Sequence, residues 1–134
     1  MFKSIMYATI FVSDQDKALD FYTNTFGFRK RADVDQPEGR FVTMSLNDQG
    51  VEVLLWPGSP GHAGALAHRV GPLVIESDDL RSDFAELKGR GVRFVEAEPE
   101  EYRYGVKVTA LDPDGNPVPL RQRRKPAQPN GETQ

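Results

Sequence analysis

The chain repeats one order of predicted elements in its two halves, and this repeat limits the possible folds more than any single motif. The first half opens with the alternating apolar segment "SIMYATIFV" and continues with the capped helix "SDQDKALDFYTNTFGF". The second half opens with "GPLVIE" and continues with "SDDLRSDFAELKGRG". Aligning Gly27 with Gly91 places Asp14 on Asp78, an offset of 64 residues. Each half therefore begins as one β-strand followed by one α-helix.

Three further strands follow each predicted helix. In the first half they are "FRKRAD", "RFVTMSL" and "VEVLLW", and in the second they are "VRFVEA", "YGVKVTALD" and "PVPLRQR". The last two strands of each half are joined by a hairpin-type turn, "NDQG" or "PDGN". The pattern predicts an α+β fold built from two βαβββ modules.

Composition sets the expected domain limits. The segment "PGSPGHAGALAHRV" is rich in glycine, proline and alanine, and "PAQPNGETQ" is polar and contains proline. We expect a single domain over residues 1–122, with module 1 at about 4–57, a linker at 58–70 and module 2 at 71–122. Residues 123–134 are expected to form a flexible tail.

Several function classes are disfavoured by the composition. The chain has no cysteine, which excludes disulfide scaffolds, zinc–thiolate sites and thiol nucleophiles. Its net charge of −3 argues against nucleic acid as the main partner. It has no apolar run of the ~20 residues that a membrane span needs, and its N-terminus lacks a signal-peptide core. We therefore expect a cytoplasmic protein with neither a nucleic-acid nor a membrane partner.

The two helix segments quoted above and the turn segment "DPDGNPVPL" resemble the vicinal oxygen chelate superfamily. That superfamily holds glyoxalase I, extradiol dioxygenases and the bleomycin-resistance proteins, and the similarity covers nearly residues 4 to 122. The resemblance implies paired modules whose mixed sheets curl into the halves of a cup, usually completed within a homodimer. It does not imply one reaction, because function belongs to the site rather than to the fold.

The resemblance also implies where metal ligands would lie. In metal-dependent members a histidine or glutamine precedes each helix-opening aspartate by seven residues, and a glutamate lies in the last strand of each module. Carried onto this chain, these positions fall on Tyr7, Pro72 (Gly71 if the register moves by one), Leu54 and Pro119. Only Tyr7 has a side-chain donor atom. The resemblance therefore predicts no metal and no other cofactor.

Neighbouring residues offer a poor substitute for the missing ligands. Glu52 lies on the same strand face as Leu54, and Glu76 on the same strand face as Pro72. However, two residues along a strand span about 6.6 Å, so a shift of that size moves a side chain away from the ligand position. A metal–oxygen bond is only about 2.0–2.6 Å long. The two histidines, His62 and His68, lie in the linker, whose fold the sequence does not predict.

Without a metal, the cup is expected to be an aromatic-lined cavity for a small aromatic or cationic ligand. The candidate ligand-binding residues are Tyr7, Thr9, Phe41, Glu52, Leu54, Trp56, His68 and Tyr104. Each has an ordinary structural alternative. Trp56 could pack an interface, Tyr104 could cover the core, and glutamates on strands or a linker histidine could simply be solvated.

Four functions fit these residues. The favoured hypothesis is a metal-free protein that binds, and possibly sequesters, a drug or metabolite. The second is a divalent-metal lyase, isomerase or dioxygenase with non-standard ligands. The third is a metal-free enzyme that uses Glu52, Glu76 or His68 as a base. The fourth is a structural dimer with no ligand.

Overall fold

The computed structural model describes residues 1–47, 50–58 and 72–124. Module 1 contains β1 (Tyr7–Val12), α1 (Gln15–Phe26), β2 (Arg29–Gln36), β3 (Gly39–Ser45) and β4 (Glu52–Pro57). Module 2 contains β5 (Ile75–Glu76), α2 (Leu80–Gly89), β6 (Arg93–Phe94), β7 (Glu100–Tyr102), β8 (Gly105–Leu111) and β9 (Pro117–Arg123). The expected α+β fold is confirmed. Nearly all of the expected linker, and the tail from residue 125, lie outside the described residues.

The strands form two mixed sheets, one in each module. The first has the order β1-β4-β3-β2, and the second has the order β5-β9-β8-β6, with β7 also paired to β8. The first and last strands of each module pair in parallel, whereas the other neighbours are antiparallel. Neither helix in the described ranges is long and apolar enough to cross a bilayer.

Local signals in the sequence account for the limits of α1. Asp14 is the N-cap, and its carboxylate accepts a hydrogen bond from the Lys17 backbone N–H at 3.0 Å. Gly27 ends the helix at φ 85°, in the left-handed region where a residue without Cβ is favoured. The amide of Gly27 reaches back to the Thr23 carbonyl. The helix therefore begins and ends where the sequence predicts.

One face of each sheet packs on the helix of its module. In module 1 alternate residues of β1 and β4 are buried, as expected when one sheet face is covered and the other is open. The core residues are Ile10, Val12, Ala18, Tyr22, Phe28, Val42, Met44, Val53, Leu55, Leu80, Phe84, Leu87, Val108, Ala110, Val118 and Leu120. The remaining residues of the same strands face the opposite side, where a ligand can approach.

Module 2 departs from its expected strands. The segments "GPLVIE" and "VRFVEA" each form only a two-residue strand, and residues 100–102 form a strand that the sequence did not predict. Two prolines explain the short β5. The Arg121 carbonyl accepts a hydrogen bond from Ser77 N–H at 2.8 Å, so the backbone groups of Arg121 point towards β5. Those of Pro119 and Pro117 point the same way and have no hydrogen to donate.

The turn after β8 joins the two modules through the buried carboxylate of Asp112. Its Oδ1 accepts hydrogen bonds from the backbone N–H groups of Asp114 and Asn116 at 2.9 and 2.8 Å. Its Oδ2 accepts from the Tyr22 hydroxyl of α1 at 3.0 Å and from Asn116 Nδ2 at 2.9 Å. Asn116 Nδ2 also donates to the Phe11 carbonyl of β1 at 2.9 Å. Burial raises the pKa of Asp112, and the four hydrogen bonds oppose that rise.

Candidate functional site

The open face of the module 1 sheet carries an aromatic cluster. Because Ile10, Val12, Val53 and Leu55 point into the core, the alternate residues of β1 and β4 point to the open side. We call this surface the aromatic face. Its members are Tyr7, Thr9, Phe11, Phe41, Leu54 and Trp56.

The rings of the aromatic face are placed by neighbouring backbone. Tyr7 and Phe41 meet edge to face, with ring centroids 5.8 Å apart and planes at 84°. The indole of Trp56 extends over Gly39 at the start of β3, where a Cβ atom would lie 3.6 Å from the ring. Tyr7 is 40% exposed, and Phe11 and Trp56 are half-buried. The face therefore offers accessible ring surface to a flat ligand.

The register between β1 and β4 places Glu52 on the same open side. Tyr7 is the direct partner of Glu52, and Thr9 is the partner of Leu54. Leu54, where the resemblance places the last-strand ligand position, lies two residues further along β4 on the same side of the sheet.

Two hydroxyl groups on β3 lie next to the aromatic face. Thr43 and Ser45 lie on the same side of β3 as Phe41, because alternate residues of a strand share a face. They are 0% and 3% exposed. Within the described part of the chain, neither Oγ atom has a hydrogen-bond partner. A buried hydroxyl without a partner costs about 1–3 kcal/mol. These two atoms could bond a polar group of a ligand that displaces the side chains above them.

The open side of the module 2 sheet is charged rather than aromatic. It borders a cavity of about 410 Å³ whose lining includes Glu96, Glu100, Lys107, Thr109 and Arg121. We call this surface the charged face. The Tyr102 ring lies beside it, with Lys107 Nζ 5.1 Å and the Arg121 guanidinium carbon 5.8 Å from the ring centroid. The two modules thus present different chemistry on equivalent surfaces.

Comparison with known proteins agrees with this architecture. The family model of the glyoxalase/bleomycin resistance protein/dioxygenase superfamily matches residues 4–120. The chain belongs to this superfamily. The resemblance inferred from the helix and turn segments is therefore confirmed.

Individual members of the superfamily cover almost the whole chain. A superfamily protein from Sphaerobacter thermophilus is 34% identical, with a TM-score of 0.75 over 91% of this chain and 98% of its own. TnmS3, an antibiotic-binding protein from a Streptomyces species, is 29% identical, with a TM-score of 0.74 over 92% and 98%. A lactoylglutathione lyase from Neisseria meningitidis is 28% identical over 90% of this chain and 91% of its own. The similar proteins thus include both a binder and an enzyme.

The residues present do not fit the four-ligand metal site of the superfamily's enzymes. The four positions that the resemblance implies are Tyr7, Leu54, Pro72 and Pro119. Both prolines lack a donor atom, and Pro119 is fully buried in β9 opposite Thr109. Among the described residues, no three His, Cys, Asp or Glu side chains are grouped so that they could hold a metal ion. His62 and His68 lie outside the described residues.

The structure brings together most of the sequence-predicted binding residues. Tyr7, Thr9, Phe41, Glu52, Leu54 and Trp56 share one sheet face. Tyr104 lies at the β7–β8 turn of the other sheet and is 63% exposed. Glu76 forms an exposed ion pair with Arg123 at 3.0 Å, which favours the solvated interpretation of this glutamate.

Sequence reasoning missed the charged face. Its central residues, Lys107 and Arg121, alternate with apolar residues in the last two strands. They face each other because the turn from Asp112 to Asn116 fixes the register of β8 and β9. Counting outward from that turn would have paired these two cations. Nothing in the sequence signals that Glu96 and Tyr102 join them, since β6 and β7 are short and irregularly spaced.

Proposed function

We propose that this chain is a metal-independent small-molecule-binding protein that acts as a homodimer and holds a flat aromatic compound against the aromatic face. The observation that carries the proposal is the cluster formed by Tyr7, Phe41 and Trp56 on the open side of the first sheet. Exposed ring surface at the edge of an apolar cup is the usual arrangement for binding planar ligands. The cytoplasmic location stays a prediction from the sequence.

Two further observations support binding without a metal. Prolines at two of the four superfamily ligand positions remove donors that a divalent cation needs. The structurally similar TnmS3 is an antibiotic-binding protein, so the same fold is used for ligand capture in a protein 29% identical to this chain. Sequestration of a drug or metabolite is the role that such binding would serve.

The homodimer is supported by an edge of the first sheet that pairs with no other strand among the described residues. β1 is an edge strand, and the residues before it carry exposed apolar side chains, with Ile5 71% and Met6 66% exposed. An unpaired strand edge with apolar neighbours favours association with another chain. A second copy placed there would cover this edge and enclose the aromatic face.

The single tryptophan gives a direct test of aromatic binding. In a ¹⁵N-labelled sample Trp56 contributes the only indole N–H signal, because the chain has one tryptophan. Titration with the neutral compound 2-naphthylmethanol is expected to shift this signal saturably, together with the amides of Tyr7 and Phe41. Shifts confined to residues remote from the aromatic face would contradict the proposal.

A second candidate function is a divalent-metal enzyme related to the lactoylglutathione lyases. The observation in its favour is the direct pairing of Tyr7 with Glu52, which places two oxygen donors side by side on neighbouring strands. If His62 or His68 supplied the remaining ligand, Tyr7 and Glu52 would be the only ligands required from the sheet. Elemental analysis of protein incubated with Mn²⁺, Ni²⁺, Zn²⁺ and Fe²⁺ and then desalted would show about one metal per chain if this function is correct.

A metal-free enzyme remains the third candidate, with Glu52 as the base on the aromatic face. Glu52 is half-buried beside Tyr7, whereas Glu76 is already paired with Arg123. Glu52→Gln would then abolish a pH-dependent activity while preserving ligand binding. If Glu52→Gln leaves turnover unchanged, this candidate is wrong.

A further inference from the structure

The charged face holds two cations in an arrangement that the fold itself does not favour. Lys107 on β8 and Arg121 on β9 are direct cross-strand partners, and both are half-buried. Like charges directly opposite each other on neighbouring strands are destabilising. Their side chains also point to the same open side, because direct partners in an antiparallel pair share a face.

Two carboxylates are strand partners of these cations, Glu100 of Lys107 and Glu76 of Arg121, but neither forms an ion pair with its partner. Within the described residues, neither Lys107 nor Arg121 has an acidic group within ion-pair distance. Glu96 lines the same cavity, but its two oxygens accept from the Thr109 backbone N–H at 2.8 Å and the Thr109 hydroxyl at 3.1 Å. Glu100 lies opposite Lys107 on β7 and is exposed.

The neighbouring residues hold the two cations towards the cavity. The Tyr102 ring lies near both charges, 5.1 Å from Lys107 Nζ and 5.8 Å from the Arg121 guanidinium carbon. Arg121 Nη1 donates to the Leu120 carbonyl at 3.1 Å, which leaves its other donors available. Glu76, the partner of Arg121 on β5, pairs with Arg123 instead. An anion in the cavity of about 410 Å³ would therefore meet two adjacent cations that form no ion pair within the described residues, and it would lie beside the carboxylates of Glu96 and Glu100.

We propose that the charged face is an organic-anion site, and that the ligand of this protein is an aromatic acid whose carboxylate binds Lys107 and Arg121. The proposal rests on the proposed function, which supplies the aromatic ring of the ligand. It adds that the ligand also carries a negative charge. It replaces the cationic ligand expected from sequence with an anionic one. Binding involves no covalent step, because the carboxylate only exchanges water for two charge-assisted hydrogen bonds.

The test compares two naphthalene compounds that differ in charge. Calorimetric titration at low ionic strength measures the Kd of 2-naphthoate and of neutral 2-naphthylmethanol. Hydrogen bonds to charged groups contribute about 1.5–3 kcal/mol, so 2-naphthoate is expected to bind at least about tenfold more tightly. Equal affinity of the wild-type protein for the two compounds would overturn the proposal.

Variants assign the preference to the charged face. Lys107→Met and Arg121→Met keep much of the stem length and remove one charge each, and we expect both to abolish the preference for 2-naphthoate over 2-naphthylmethanol. Lys17→Met is the matched control, since Lys17 is exposed on α1 of the other module and its loss changes the net charge equally. A preference that persists in Lys107→Met, or disappears in Lys17→Met, contradicts the proposed site.

Failure of the proposed function gives a different result. If neither naphthalene compound binds, aromatic capture is wrong, and the anion site is then judged with inorganic phosphate. Phosphate is expected to shift the amide signals of Lys107, Thr109 and Arg121 in the wild-type protein and not in Lys107→Met, with NaCl of equal ionic strength as the reference. Absence of these shifts in the wild-type protein would overturn the anion site itself.

Discussion

The two modules follow one pattern of elements, yet their parallel strand pairs differ threefold in length. β1 and β4 pair over six residues from Tyr7 to Val12, whereas β5 and β9 pair over two. The difference lies in the last strands, since β4 presents an amide at every residue of the pairing up to Trp56, and β9 has Pro117 and Pro119 facing β5. A repeated fold therefore tolerates large changes at one edge while the core of each module is kept.

The open faces of the modules differ as much as their edges. Module 1 presents Tyr7, Phe41 and Trp56, and module 2 presents Lys107 and Arg121 beside Tyr102. We propose that one face takes a flat ring and the other an anionic group. The variants below test each of these two proposed half-sites separately.

The largest effect is expected at the turn that joins the modules. Asp112→Asn places an amide N–H₂ where the carboxylate accepts from the Tyr22 hydroxyl and Asn116 Nδ2, so at least one buried hydrogen bond is lost. We expect a loss of about 2–3 kcal/mol in the free energy of unfolding, measured by urea denaturation. Asp114→Asn, at a more exposed acceptor of Ser13, is the control and should cost less than about 1 kcal/mol. Equal effects of the two changes would show that the buried hydrogen bonds of Asp112 stabilise the protein no more than the more exposed contact of Asp114 with Ser13.

The next largest effect concerns the aromatic half-site. Trp56→Leu removes the indole that extends over Gly39, and we expect the Kd for 2-naphthylmethanol to rise about tenfold, consistent with about 1.4 kcal/mol of lost ring contact. Tyr104→Leu changes an exposed aromatic residue on the other sheet and should leave this Kd unchanged. A larger effect of Tyr104→Leu would move the ring site to module 2.

A smaller effect is expected when β9 is given a backbone amide towards β5, as β4 has towards β1. Pro119→Val supplies an amide facing β5, and we expect the parallel pairing to lengthen towards residue 73. Hydrogen exchange followed by NMR should then show slow exchange of the Val amide at position 119 and of amides in residues 73–75. Fast exchange at position 119 would show that the prolines are not the cause of the short β5.

The smallest effect concerns the stability of the charged half-site. Lys107→Met removes one of two like charges that face each other, so the unfolding midpoint in urea should stay the same or rise slightly, by less than about 1 kcal/mol. The equivalent change at Lys17 should be neutral. A clear loss of stability in Lys107→Met would mean that this side chain stabilises the fold rather than serving a ligand.

Local patterns in the sequence were sufficient for the elements that have caps or strict alternation. Asp14 and Gly27 bound α1, and the alternation around Ile10 and Val12 assigns the two faces of β1. Patterns failed where a strand is set by its neighbour. The length of β5 depends on prolines more than 40 residues later, and the pairing of Tyr7 with Glu52 depends on how β4 docks beside β1.

The dependence of strands on their neighbours also explains why the sequence predicted the aromatic face but not the charged face. The aromatic face could be found because its residues alternate within single strands. The charged face combines Glu96, Tyr102, Lys107 and Arg121 from four segments of module 2, and only the fold brings them together. Identification of such a group needs the register of β7, β8 and β9, which short strands in a sequence do not reveal.

The central claim is binding of an aromatic ligand without a metal, and one titration tests it most directly. The Trp56 indole signal is followed during addition of 2-naphthylmethanol, first to protein dialysed against EDTA and then to the same protein with Mn²⁺ added, with bound metal quantified in both samples. We predict the same saturable shift and the same Kd in both samples, with no stoichiometric metal retained after desalting. A shift that occurs only with about one metal bound per chain would contradict the claim and favour the enzyme related to the lactoylglutathione lyases.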